Sequence, residues 1–215
     1  MPQLKDSPGV VNSIKVLIRN AQRRWLDTLV ARFPKLGLDQ RAEYFVSLFE
    51  KDLPSRSRVL DIGGGWGFYS EPLRRRGHWP TVLDVVKPGI QKSPLVIYDG
   101  KRIPFPDKSF DVSLFVTVLH HVPDPEALLN EASRVTRKQV ILIEDIYRHG
   151  LGRFWTEWRD RFYNFEFIGH PANFRKSENW IQTAERRGWR LIRQHKVYTW
   201  LSGLRIWNGV FIFEV

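Results

Sequence analysis

Three groups of residues in this chain could do chemistry. The first is Asp61-x-Gly63-x-Gly65-x-Gly67, a run of alternating glycines led by a carboxylate. Glycines at that density let the backbone come close to a ligand and present its N–H groups to it. The second group is two carboxylates, Asp84 and Asp99, each closing a short apolar run. Placed roughly twenty residues beyond the glycine loop, Asp84 can accept from both ribose hydroxyls of a nucleoside. The third group, His120-His121 and Glu144-Asp145, can hold or move a proton.

The elements that must position these groups can be read around them. Val59-Leu60-Asp61-Ile62 has the length and β-branched content of a buried parallel strand, and it stops in the glycine cluster. Phe68 to Arg76 then reads as the opening of a helix, so the unit is strand, glycine loop, helix. The dinucleotide fingerprint G-x-G-x-x-G fails here, since a start at Gly63 meets Phe68 where glycine is needed, and starts at Gly65 and Gly67 fail as well. Further short strands are Thr81-Val82-Leu83 before Asp84, Leu95 to Tyr98 before Asp99-Gly100, Val112 to Val116 before Leu119-His120-His121, and Val140 to Ile143 before Glu144-Asp145.

The acid-led D-x-G-x-G-x-G resembles motif I of the class I S-adenosylmethionine-dependent methyltransferases. Asp99-Gly100 and Ile103 to Asp111 (IPFPDKSFD) are similar to the DG..LPF.D.SFD segment of the small-molecule, type 11-like branch, and Leu119 to Asp124 (LHHVPD) is close to that branch's LHHVPD. Together these matches cover Val59 to Ile146, roughly two fifths of the chain. The resemblance implies an α/β fold: a Rossmann-like, seven-stranded, mostly parallel sheet with helices on both faces and an antiparallel C-terminal edge hairpin. A single methyltransferase domain would then comprise a helical cap over 1–58, a cofactor-binding core over 59–146, an aromatic lid insertion over 147–188 and C-terminal strands over 189–215.

The resemblance also implies the cofactor, S-adenosylmethionine, and its contacts. Gly63, Gly65 and Gly67 would bring backbone to the methionine part, with Asp61 orienting the amino group through backbone or water. Asp84, with Val85 beside it, would hold the ribose; Asp99 and the Gly100 backbone would meet the adenine. Phe115 and Val116 would close over the methionine, and His121 would shape the pocket. Two stretches depart from the family pattern. Residues 134–139 carry no glycine turn before the fifth strand, and Val85 to Pro94 leaves little room for a crossover helix.

Methyl transfer is an in-line displacement at an already activated carbon, so the protein must align the nucleophile, exclude water, and supply a base only where the acceptor holds its proton tightly. Among base candidates His120 comes first and Glu144 or Asp145 second, with Tyr147, His149 and His170 in the insertion. No Asn/Asp-Pro-Pro-Tyr/Phe motif follows the fourth strand, which disfavours methylation of adenine or glutamine nitrogen. No His/Asp/Glu spacing along the chain reads as a metal site.

Composition narrows the rest. The 215 residues suffice for one ordinary domain with a large core. Absence of cysteine removes disulfides, thiolate zinc and cysteine nucleophiles, and sets aside the arsenic-methylating relatives. No apolar signal core or membrane-spanning run is present, so residence in the cytoplasm is expected, with peripheral membrane contact left open. The net charge of +11 is uneven: residues 1–58 carry 11 Lys+Arg against 6 Asp+Glu, residues 59–146 carry 11 against 11, and residues 147–215 carry 12 against 6. Basic flanks on a neutral core suit an anionic partner, whether a small acid, an anionic membrane surface or RNA, or simply a solvated face. Val10, Ile14, Leu17, Ala21 and Trp25 mark a basic amphipathic helix that either lies on lipid or packs on the domain and caps its cleft.

Residues 147–180 hold 10 aromatics, more than twice the density of the whole chain, as either the wall of a hydrophobic acceptor site or a core for the insertion itself. The sequence reading is therefore methyl transfer to a small-molecule or lipid-like acceptor, anionic or aromatic. RNA methylation and a non-catalytic cofactor-binding scaffold are the alternatives. Oligomeric state leaves no signature.

Overall fold

A computed structural model describes residues 37–147, 150–164, 171–201 and 204–215, together with residues 21, 24, 25, 27, 28 and 32. In chain order the elements are α1 (Leu38–Phe49), a 3-10 turn (Glu50–Asp52), β1 (Arg58–Ile62), α2 (Ser70–Arg75), β2 (Trp79–Asp84), β3 (Leu95–Ile97), β4 (Phe110–Val116), a second 3-10 turn (Leu119–His121), α3 (Pro125–Val135), β5 (Thr136–Asp145), α4 (Gly150–Asn164), α5 (Ser177–Glu185), β6 (Arg190–Leu201) and β7 (Leu204–Glu214). The strands form one seven-stranded sheet in the order β3-β2-β1-β4-β5-β7-β6. The first five are parallel, and β7 runs antiparallel to both β5 and β6. No helix among the described residues is long and apolar enough to cross a membrane.

Period-2 alternation splits the apolar residues between two faces. Leu60, Ile62, Phe115, Val140, Leu142, Phe211 and Phe213 join one core cluster with Leu128, Leu129, Ala132 and Val135 of α3 and Trp180 and Ala184 of α5. Val59, Val112, Leu114, Val116, Ile141, Ile143, Val210 and Ile212 join the other with Phe45, Val46 and Phe49 of α1 and Leu73 of α2. Each such side chain contributes about 1.5–3 kcal/mol when fully buried. Arg75 and Arg76, at the end of α2, pair with Glu43 of α1, and Arg76 also pairs with Glu50, so these two arginines fasten the two helices together.

Both departures from the family pattern have a visible outcome. No helix forms over residues 85–94. Before β5 the chain passes from helix to strand at Thr136, which already has extended dihedrals (φ −100, ψ 139), so no glycine is required. Asp124 caps α3, its side chain accepting from the Ala127 N–H at 3.0 Å. In α5, Ser177 lies inside the first turn, and among the described residues no side chain caps the helix.

Between β1 and β4 the topology reverses, since the chain leaves β1 for β2 and β3 and returns to β4 on the other side of β1. The carboxyl ends of β1 and β4 therefore diverge around a crevice, the usual ligand position in open α/β sheets.

Candidate functional site

The crevice is a cavity of about 270 Å³, walled by Gly63, Gly64, Gly65 and Trp66 of the glycine loop, Phe68, Tyr69, Val116, Thr117 and His121, with Leu38 and Arg41 from α1, Asp145 at the end of β5, Arg159 and Asp160 from α4, and Ile206. Gly63 and Gly64 donate to the Leu83 carbonyl, and Gly65 donates to Asp84 Oδ2 at 3.0 Å, so Asp84 itself shapes the loop. Asp27 of the N-terminal segment accepts from the Trp66 indole and the Gly89 N–H, both at 2.8 Å, which brings that segment against the loop. Of the amphipathic stretch, Ala21 and Trp25 are exposed, and Val10, Ile14 and Leu17 lie outside the described residues.

Asp61 is buried under the loop, and a Cβ on Gly64 would collide with its carboxylate. Neither of its oxygens has a hydrogen-bond partner. Burial, with the charge of Asp84 nearby, pushes its pKa up to about 7. A buried carboxylate lacking donors, directly beneath backbone that opens into a cavity, fits the ammonium end of an amino-acid ligand. On this count the residues present suit S-adenosylmethionine.

The nucleoside side of the site is a more open rim outside the cavity wall. Asp84 accepts from Gly65 and, through Oδ1, from Val86 at 3.1 Å, which leaves lone pairs for ribose hydroxyls. Val85 is about half exposed and lies 3.2 Å from the Cβ position of Gly100, so the two form one apolar edge. Asp99 Oδ1 accepts from the N–H groups of Lys101 and Arg102, which holds its carboxyl below the usual range and leaves Oδ2 outward.

Three expectations are corrected. Phe115 does not face the cofactor: alternation along β4 turns it into the core beneath α3, fully buried, while Val116 and Thr117 line the cavity. His120 does not line it either. Its Nδ1 meets Glu144 Oε2 at 2.6 Å, and Nε2 lies 3.5 Å from Asp160 Oδ1. Burial works against its charge, but Glu144 and Asp160 outweigh burial and hold its pKa at about 10, so it is an imidazolium that cannot accept a proton. Glu144 is fully buried and its Oε1 accepts from the Val118 and Leu119 N–H groups at 2.9 and 2.7 Å, making it a strut between the ends of β4 and β5.

Asp145 remains a wall carboxylate, paired with buried Arg159 and accepting from Asn208 Nδ2 at 2.6 Å; burial raises its pKa despite Arg159. Tyr69 keeps its proton, with burial pushing it to about 12. Tyr147 is not among the wall residues, and His149 and His170 lie outside the described residues.

The insertion divides differently from the expected lid. Trp180 and Phe174 are buried, and Phe174 stacks on His120 at 4.4 Å, whereas Phe154, Trp155 and Trp158 on α4 are exposed, the last two stacked. Among the described residues, α4 offers the cavity a charged pair, Arg159 and Asp160, and no aromatic. Sequence reasoning missed Arg41, Arg159 and Asp160, because none belongs to a motif. Arg41 Nε is buried with no hydrogen-bond partner, while the guanidinium sits over Phe45 at 4.4 Å.

A parallel sheet closed by an antiparallel hairpin, with an acid-led glycine loop at its switch point and a carboxylate ending the second strand, defines the class I methyltransferase fold. A family model described as "Methyltransferase domain" matches residues 60–143. An uncharacterized methyltransferase of Mycobacterium sp. (strain KMS) is 34% identical over 124 residues, covering 50% of this chain and 46% of the relative. A malonyl-[acyl-carrier protein] O-methyltransferase of Halorhodospira halophila is 30% identical over 174 residues, 72% of this chain and 58% of the relative. The magnesium protoporphyrin IX methyltransferase of Synechocystis PCC 6803, solved with bound SAH, shares the fold at a TM-score of 0.58 and 18% identity, over 83% of this chain and 84% of that one. Over residues 60–143 the chain is similar to a methyltransferase domain, and its fold is that of the class I, S-adenosylmethionine-dependent enzymes. It spans about half the length of the curated relatives it matches first.

Proposed function

We propose that this chain transfers a methyl group from S-adenosylmethionine to a small-molecule acceptor bearing a carboxylate. The observation that carries this reading is the cavity wall itself, where the glycine loop faces two arginines, Arg41 and Arg159, across a space fit for the methionine end of the cofactor and a small acid. When bound, the cofactor supplies the activated methyl group. Gly63 to Gly65 would seat its methionine part, Asp61 its ammonium, Asp84 its ribose, and Val85, Asp99 and Gly100 its adenine. Arg41 and Arg159 would hold anionic groups, Arg41 with the freer guanidinium.

An acceptor that arrives ionised suits this site. His120 already carries its proton, Tyr69 keeps its own, and Asp145 is occupied by Arg159. A carboxylate is ionised at neutral pH and needs no base, so alignment and exclusion of water suffice. The Halorhodospira relative is named for O-methylation of a malonyl group, which is chemistry of the same kind.

Calorimetric titration with S-adenosylmethionine and, separately, with NADH tests the cofactor. Binding of the first alone, followed by transfer of labelled methyl to carboxylic acids and not to RNA or uncharged acceptors, is the expected result. Binding of NADH, or of neither, overturns the reading. Arg41→Ala should weaken binding of the cofactor or the acid about tenfold or more, the cost of a charge-assisted hydrogen bond.

The pKa of Asp61 adds a pH dependence. Below about pH 7 the free protein holds Asp61 neutral, and pairing with an ammonium favours the ionised form. Cofactor affinity should therefore fall as pH drops through 7, by roughly tenfold between pH 8 and pH 6. Asp61→Asn should bind weakly at both pH values with a flat profile; an unaltered profile would remove Asp61 from the site.

A further inference from the structure

His120, His121 and Asp160 are about forty residues apart in sequence at their widest and meet only because α4 crosses the end of β4. One ligand atom from each, an imidazole nitrogen from either histidine and a carboxylate oxygen from Asp160, lies within 4.8 Å of the other two. The separations are those of atoms around a common centre. His120 Nε2 is 3.5 Å and His121 Nε2 3.9 Å from Asp160 Oδ1, longer than good hydrogen bonds and close to the roughly 3.0–3.5 Å between neighbouring ligands of an ion bound at about 2.1 Å.

Two further features point the same way. His120 Nδ1 meets Glu144 Oε2 at 2.6 Å, and Glu144 is itself held by two backbone N–H groups, which is the carboxylate–histidine arrangement that orients a metal-binding imidazole. His121 and Asp160 are also in the cavity wall, so a centre held by these three side chains keeps an open side towards the acceptor space.

We propose that His120, His121 and Asp160 bind one divalent transition-metal ion at the acceptor end of the cavity, with Glu144 as the positioning residue behind His120. Two imidazoles and a carboxylate select zinc, iron(II), cobalt or manganese over calcium and magnesium, which prefer all-oxygen ligands. Binding would displace the Nε2 proton of His120 to solvent, and three protein ligands leave a coordination position for an oxygen of the acceptor in the cavity that Arg41 and Arg159 also line. The centre would fix an anionic acceptor without serving as a base.

The site is tested on untagged, chelator-treated protein by titration with cobalt(II) alone, followed by visible absorption, and by competition with zinc(II). One cobalt per chain at micromolar concentration, with a ligand-field band abolished by zinc, is the expected result. Asp160→Asn and His121→Gln should each weaken cobalt binding by about tenfold or more; His121 is partly exposed, so its variant tests the site without disturbing the core. Failure of the wild-type chain to bind one equivalent, or wild-type affinity in either variant, overturns the proposal. S-adenosylmethionine is titrated into the same samples without cobalt. Cofactor binding without metal binding removes the metal centre and leaves the methyl-transfer reading standing.

Discussion

Gly65→Arg is expected to abolish S-adenosylmethionine binding, by about a hundredfold or more, in a protein that still folds. Gly65 sits at φ +50, and a Cβ there would meet nothing closer than Asp84 Oδ2 at 4.0 Å. The new side chain therefore starts in open space, inside the cavity wall, with a carboxylate in reach of its guanidinium. It would fill the methionine seat and neutralise Asp84, two losses of binding at once. Left-handed backbone at a non-glycine residue costs about 1–2 kcal/mol, which for a domain of this size lowers Tm by only several degrees. Calorimetry alongside thermal melting separates the two effects. Micromolar binding retained by a folded variant would show that the loop does not seat the cofactor.

Glu144→Ala should be the most destabilising single change at the site. The wild-type carboxylate, fully buried, serves the Val118 and Leu119 N–H groups and His120 Nδ1. Truncation removes the acceptor of two backbone donors and of His120 Nδ1, leaving Asp160 as the carboxylate beside the imidazolium, and breaking a buried charged pair of this kind costs about 3–5 kcal/mol. In urea the unfolding midpoint should fall accordingly, with the slope unchanged. Glu144→Gln keeps an oxygen for both N–H groups and should lose less than half as much. An alanine variant within about 1 kcal/mol of wild type would remove Glu144 from its role as a strut.

The glycine loop was legible as a wall of the cavity because its signals are local. The glycine loop, its leading acid and the carboxylate after the next strand all act through backbone geometry within one strand-loop-helix unit, so spacing alone exposes them. The rest of the cavity wall was not. Arg41, Arg159 and Asp160 come from helices that carry no motif, and their helical periodicity is that of any amphipathic surface. His120 shows the same limit in another form. As a residue type it is a fair base, but Glu144 and Asp160 outweigh burial and hold its pKa at about 10.

Phe115 and Val116 divide for a simpler reason, since neighbours on a strand face opposite sides. The apolar run named the strand without saying which face carried α1 and α2 and which carried α3 and α5. The concentration of aromatics in the insertion likewise left an acceptor wall and a core of its own as alternatives; Trp180 and Phe174 went to the core and Phe154, Trp155 and Trp158 to the surface.

What the amino-acid sequence determined by itself is the sheet, its hairpin edge and the glycine loop, because strand burial, turn chemistry and loop geometry depend on residues close together along the chain. What only the tertiary structure decided is the chemistry of the cavity wall opposite the glycine loop. The meeting of His120 and His121 with Asp160, the pairing of Asp145 with Arg159 and the charge on His120 arise from electrostatic and desolvation effects between groups on different elements. Those effects have no counterpart in linear spacing, so they appear only once the helices are packed against the sheet.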